Sequence, residues 1–141
     1  MSRNIVTGII LISVILINFA FRTQYTQSGN FENHGNNIYR IYERQSYLIL
    51  DTASFYLYYR YESDEKVKGK GLVKVGKYFF SKDAGSPILV LTTDNLEKTF
   101  PDNISFHYAV ESHFRTDQEL IGYDTYCNCY KLKYIYKQSL K

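Results

Sequence analysis

Apolar residues in this chain follow two rhythms. Between Arg3 and Arg22 they run almost without interruption: Ile5, Val6, Ile9, Ile10, Leu11, Ile12, Val14, Ile15, Leu16, Ile17, Phe19 and Phe21 surround a helix on every side and leave no polar stripe for water. After residue 37 apolar and polar positions alternate instead, which is the period of strands. The alternation begins at Ile38 to Glu43. Tyr47 to Leu50, a turn at Asp51 to Ser54, and Phe55 to Tyr61 then read as a hairpin, with Phe55, Leu57, Tyr59 and Tyr61 on one face and Tyr56, Tyr58 and Arg60 on the other. Glu62 to Lys66 turns the chain and Val67 to Val75 returns it, with Gly69 and Gly71 marking a bend or bulge, and a further strand follows Gly76 at Lys77 to Ser81. A loop at Lys82 to Pro87 leads to Ile88 to Thr92, apolar on both faces as a central strand would be. Asp94 to Asp102 has room for one helical turn before Pro101. Ile104, Phe106, Tyr108 and Val110 line one face of another strand, and Tyr126 to Tyr136 forms the longest. The pattern predicts a mainly β fold, a single small antiparallel barrel or sandwich of about seven or eight strands, preceded by an N-terminal hydrophobic helix. No long helix is expected after that leader.

The uncharged run Asn4 to Phe21 reaches about 27 Å at roughly 1.5 Å per residue, near the lower limit for a hydrocarbon core of about 30 Å. It reads as a short membrane anchor or a signal peptide, with a buried core helix as the third reading. Ala20 and Asn18 make a poor cleavage site, which favours the anchor. Arg3 and Arg22 nearly balance across the span, so orientation rests on the short N-terminal tail, which places the bulk of the protein outside the cytoplasm. The expected organisation is an anchor or signal peptide at 1–22, a polar flexible tether at 23–37 and an extracytoplasmic β-domain at 38–141. The expected location is a single-pass membrane protein, or a secreted or periplasmic one after cleavage.

Composition narrows the function classes. Fifteen Tyr and nine Phe without a Trp suit pleated, half-buried surfaces. The formal net charge of +3 is small and dispersed, which argues against nucleic acid as a partner. The partners expected are the lipid bilayer, through the leader, and an unidentified protein or small apolar ligand. The chain has no Gly-rich phosphate loop, G-x-S-x-G elbow or H-E-x-x-H. Asp94, Glu97, Asp102 and Glu111 read as solvated acids rather than a hydrolytic pair, so no catalytic residue is assigned.

The segments Leu48-Ile49-Leu50, Phe55-Tyr56-Leu57-Tyr58, Gly71-Leu72-Val73-Lys74-Val75-Gly76-Lys77-Tyr78 and Ile88-Leu89-Val90-Leu91 resemble the small lipocalin-like β-meander modules of exported Bacteroidota proteins. The likeness covers about a third of the chain, Leu48 to Leu91. Two features depart from that pattern: the turn before Phe55 has no Gly, and Trp is absent. The resemblance implies a non-catalytic barrel enclosing a small apolar ligand, and names no binding residue.

Candidate chemistry lies near the C-terminus. If strands near Ile104 to Phe114 and Tyr126 to Tyr136 pair across a turn at Glu119 and Leu120, His113 faces Cys127 and Glu111 faces Cys129, with His107 further along that face. Two thiolates, an imidazole and a carboxylate would then be offered to Zn²⁺. The competing readings of Cys127 and Cys129 are a disulfide between them, free thiols, or a link between chains. The leading expectation is a non-enzymatic binding or interaction module. The alternatives are a metal-binding or thiol-redox protein using His113, Cys127 and Cys129, and a structural subunit of an envelope assembly.

Overall fold

The computed structural model describes residues 30–64 and 73–141. Six strands follow one another as an antiparallel meander in the order β1-β2-β3-β4-β5-β6: Asn30–His34, Asn37–Tyr42, Gln45–Asp51, Tyr56–Asp64, Val73–Ser81 and Leu89–Val90. Three helices, α1 (Thr93–Thr99), α2 (Ile104–His113) and α3 (Lys131–Ser139), complete the chain with a 3₁₀ segment (Asp117–Ile121) and a small ribbon, β7 (Tyr123–Asp124) with β8 (Cys129–Tyr130). The protein is mainly β, and its sheet is open: among the described residues β1 and β6 are its edges and do not pair with each other. The expected barrel or sandwich is therefore corrected to one open sheet with helices on one face, and the enclosed barrel interior implied by the resemblance does not form.

Two-residue turns set the register of the first three strands. His34 pairs with Asn37 around Gly35, whose φ of +62° suits the first central position of a hairpin turn. Tyr42 pairs with Gln45 around Glu43 and Arg44, both at positive φ. Between β3 and β4 the register shifts near Leu50, and β4 pairs with β5 along its whole length, Tyr56 with Ser81 through Asp64 with Val73. Gly76 lies inside β5 rather than before it; an added Cβ there would run into the ring of Tyr59, so the missing side chain lets that ring lie across the strand. The pair Leu89–Val90 is an edge strand and not the central one that its apolar character implies. Strand pairing also starts earlier than the apolar pattern does: Asn30–His34, exposed and polar apart from Phe31, is held by main-chain pairing with β2.

The main core joins one sheet face to the helices. Phe55, Leu57 and Phe80 pack with Leu91, Leu96, Phe100, Phe106, Val110, Phe114, Leu120, Leu132 and Ile135. Phe100 sits at its centre, with ring centroids of Tyr136, Phe55 and Phe106 at 4.9, 5.6 and 5.8 Å, spacings at which each aromatic pair adds about 0.5–1.5 kcal/mol beyond area burial. On the opposite face Tyr47, Tyr58, Phe79 and Ile88 form a second cluster. Arg60 lies over the rings of Tyr47 and Phe79.

The region expected to be a hairpin, Ile104 to Phe114 with Tyr126 to Tyr136, is corrected to helices α2 and α3. Asn103 caps α2 by accepting from the Phe106 N–H at 3.0 Å and ties it to α3 through Ser139 Oγ at 2.8 Å. Only Phe106 and Val110 of the presumed strand face are buried, four residues apart as a helix requires, whereas Ile104 and Tyr108 are exposed. Thr92 caps α1 in the same way, through the Asn95 N–H, and Asp117 accepts from the Thr93 N–H.

Candidate functional site

The end of α2, the β7–β8 ribbon and the first turns of α3 enclose a groove of about 520 Å³. Phe114, Ile135 and Tyr134 give it an apolar wall; His113, Asp124, Lys131, Tyr126 and Cys127 form the rest. The ribbon turns at Asp124–Asn128: the Asp124 carboxylate accepts from the Tyr126 N–H at 2.8 Å, Asn128 takes a φ of +52°, and the Tyr123 hydroxyl donates to Asn128 Oδ1 at 2.6 Å. Cys127 and Cys129 are joined as a disulfide across this turn, with Cα atoms 5.3 Å apart. A turn brings these positions closer than a flat strand would, which is how a pair separated by one residue is bridged. Tyr126 stands at the tip, 99% exposed.

His113 ends α2. Its Nδ1 lies 2.8 Å from the Ala109 carbonyl, which only accepts, so Nδ1 carries the proton and Nε2 is left as the acceptor of the neutral ring. Ser112 Oγ lies 3.0 Å from the same nitrogen. Burial pushes the Tyr130 phenol above its ordinary value, with the Asp51 carboxylate adding to the effect.

The structure brings two of the four predicted site residues, His113 and Cys127, to one groove. Cys129 lies behind Cys127 as its disulfide partner. Glu111 is on an exposed patch of α2 with Tyr108 and Ser112, and His107 bonds the Phe100 carbonyl at 2.8 Å. The strand register that would have faced Glu111 to Cys129 does not exist, and among the described residues no three His, Cys, Asp or Glu side chains are grouped as a metal site. Tyr126, Tyr134, Phe114 and Ile135 were not foreseen as groove residues: the expected hairpin set Phe114 opposite Tyr126 but carried Tyr134 and Ile135 far along the other strand, and only a helical reading of Lys131–Ser139 brings them beside Phe114.

No helix among the described residues is long and apolar enough to cross a membrane, and the run Asn4 to Phe21 lies outside them. Compared with protein-family models, with curated proteins and with solved structures, the chain matches none.

Proposed function

We propose that this chain is a membrane-anchored or exported, non-enzymatic domain that works outside the cytoplasm as a binding module, taking an apolar side chain of a protein partner in the groove beside Tyr126. The observation that carries this reading is the fully exposed tyrosine at the tip of a disulfide-closed turn. A tyrosine offers a large contact area with few rotatable bonds, and a restrained turn loses little freedom on binding. Tyr134 and Tyr123, both about half exposed, extend the aromatic surface on either side. The disulfide agrees with an oxidising compartment and with an export role for the leader.

A photo-reactive benzoylphenylalanine placed at Tyr126 or Tyr134 of the full chain tests this in cells. A discrete adduct at both positions and none at exposed Lys98 is the expected result. Equal labelling at all three, or none, sinks the reading. Compartment is tested in parallel by a membrane-impermeant maleimide after mild reduction: labelling of Cys127 on intact cells is expected, and protection until lysis contradicts export.

His113 beside Cys127 favours a second reading, thiol–disulfide exchange. A substrate dithiol would be oxidised to its disulfide while Cys127–Cys129 is reduced, two electrons and two protons passing between them, with His113 Nε2 accepting the thiol proton. Equilibration against millimolar glutathione decides it. Full oxidation under reducing buffers leaves a purely structural bond.

A further inference from the structure

We propose that two copies of this chain join through β1, edge to edge and antiparallel, into one continuous sheet. Three observations lead there. Among the described residues the strand Asn30–His34 is paired on one side only, and all five of its residues are exposed. It carries no Lys, Pro or bulge, three of the devices that keep a free edge from pairing. Its open main-chain groups and the Glu32 and His34 side chains then select one arrangement.

The turn fixes which main-chain groups are open. Because His34 and Asn37 flank a two-residue turn, they exchange hydrogen bonds with each other, and the alternation of an antiparallel ladder turns the N–H and C=O of His34 and Glu32 toward β2. The same alternation turns those of Phe31 and Asn33 outward. Two copies related by a two-fold axis must bring outward groups together, so the axis passes through an Asn33–Asn33 or a Phe31–Phe31 pair, or between Phe31 and Asn33 at Glu32. An axis at Glu32 sets the two Glu32 carboxylates opposite each other, which is repulsive. Centring on Asn33 sets Glu32 of each copy opposite His34 of the other, in the non-hydrogen-bonded positions where side chains approach most closely. Glu32 and His34 share one face of the strand and already lie within 3.3 Å inside a single copy, so their side chains have the reach for this contact. Centring on Phe31 sets Glu32 opposite Asn30 and leaves His34 with no facing residue of β1. A Glu32 carboxylate facing a His34 ring N–H that can donate to it therefore chooses the Asn33-centred register. The surface is short, which fits a reversible dimer and not a permanent one.

The test uses the full chain in mild detergent, with dimer fraction read by light scattering and cross-linking by non-reducing electrophoresis. Asn33 faces its own copy, so Asn33→Cys should form a disulfide-linked dimer at least tenfold faster than Lys98→Cys, an exposed control outside the edge. Glu32→Lys should lower the association constant at least tenfold, and Glu32→Lys combined with His34→Glu should restore it. Both changes lie on an exposed strand, and far-UV circular dichroism checks that the fold is kept. A protein that is monomeric at 100 µM, a dimer that Glu32→Lys leaves unchanged, or linkage at Asn33→Cys no faster than at the control would each overturn the proposal.

Discussion

Lys133 and Arg40 hold positive charge inside the protein by different means. Arg40, 1% exposed, donates to four neutral acceptors: the Tyr58 hydroxyl, Ser81 Oγ and the carbonyls of Asp83 and Ser86. Lys133 reaches from α3 to the β3–β4 turn, where its ammonium meets the Asp51 carboxylate at 3.1 Å and the carbonyls of Ala53 and Phe55, with the Phe55 ring 4.3 Å away. Burial pulls its pKa below the ordinary lysine value, and the Asp51 charge opposes that pull. Replacing it has two opposed effects: Lys133→Met removes the desolvation cost but takes the ammonium from the Phe55 carbonyl, from Asp51, which keeps the Ala53 N–H, and from the Ala53 carbonyl, which keeps the Phe55 N–H. The loss is larger, because a buried carbonyl left unpaired bears its full desolvation penalty and the carboxylate loses its counter-charge, and a net cost of about 1–3 kcal/mol is expected in urea unfolding. Neither role was legible in the sequence. Lys131 and Lys133 alternate with Tyr residues as a water-facing strand edge would, and nothing local distinguishes the lysine that turns inward.

At the level of elements, the β2–β3 turn is locally unfavourable. Glu43 and Arg44 sit at φ of 48° and 63°, where a side chain crowds its own carbonyl, and hairpins of this kind prefer Asn-Gly. Replacing both, Glu43→Asn with Arg44→Gly, is expected to stabilise by about 1 kcal/mol, and so to raise Tm by roughly 4–8 °C. The β7–β8 turn behaves differently. The loop closed by Cys127–Cys129 is so short that its removal, Cys127→Ser with Cys129→Ser, should cost only roughly 1.5 kcal/mol by chain entropy. Its effect should instead be local, as faster amide exchange at 124–129 with the core helices unchanged. Strands β2 to β4 were legible because the two-residue period persists through well-spaced turns, whereas β5 was divided at Gly76, which lies inside it. Helices α2 and α3 were not, for a specific reason: Ile104, Phe106, Tyr108 and Val110 imitate a strand, and the residues that enter the core, Phe106, Val110 and Phe114, are also spaced as a helix face. In α3 the buried Leu132 and Ile135 carry the same helical spacing, hidden among tyrosines whose composition favours strands.

For the molecule as a whole, the two sheet faces are closed by different chemistry, and acid should separate them. The helix-covered face is held mainly by apolar and aromatic contacts that do not titrate, with the Lys133–Asp51 pair at its margin. The other face depends on carboxylates: Glu62 is held below its ordinary pKa by Lys77 and then Arg60, and Asp83 by the Ser86 hydroxyl, the Gly85 and Ser86 N–H groups and the Arg40 charge. Asp83 closes the loop whose carbonyls receive Arg40, so both groups bear on the cluster around Tyr58. Their folded pKa values lie below the unfolded ones, so between those values the unfolded chain binds more protons. The stability they contribute is complete above the ordinary carboxylate range and is lost as pH falls through that range toward the folded values. Urea midpoints should therefore stay level from neutral pH to about pH 5 and decline below it. Glu62→Gln with Asp83→Asn should lower the plateau and flatten that decline. Parallel acid limbs for the parent and double variant would remove these carboxylates as its source. Amide exchange at pH 4 should locate the loss, with β2 and the Ser81–Ile88 loop opening before α1 to α3, because the aromatic cluster around Phe100 has no group to protonate in that range.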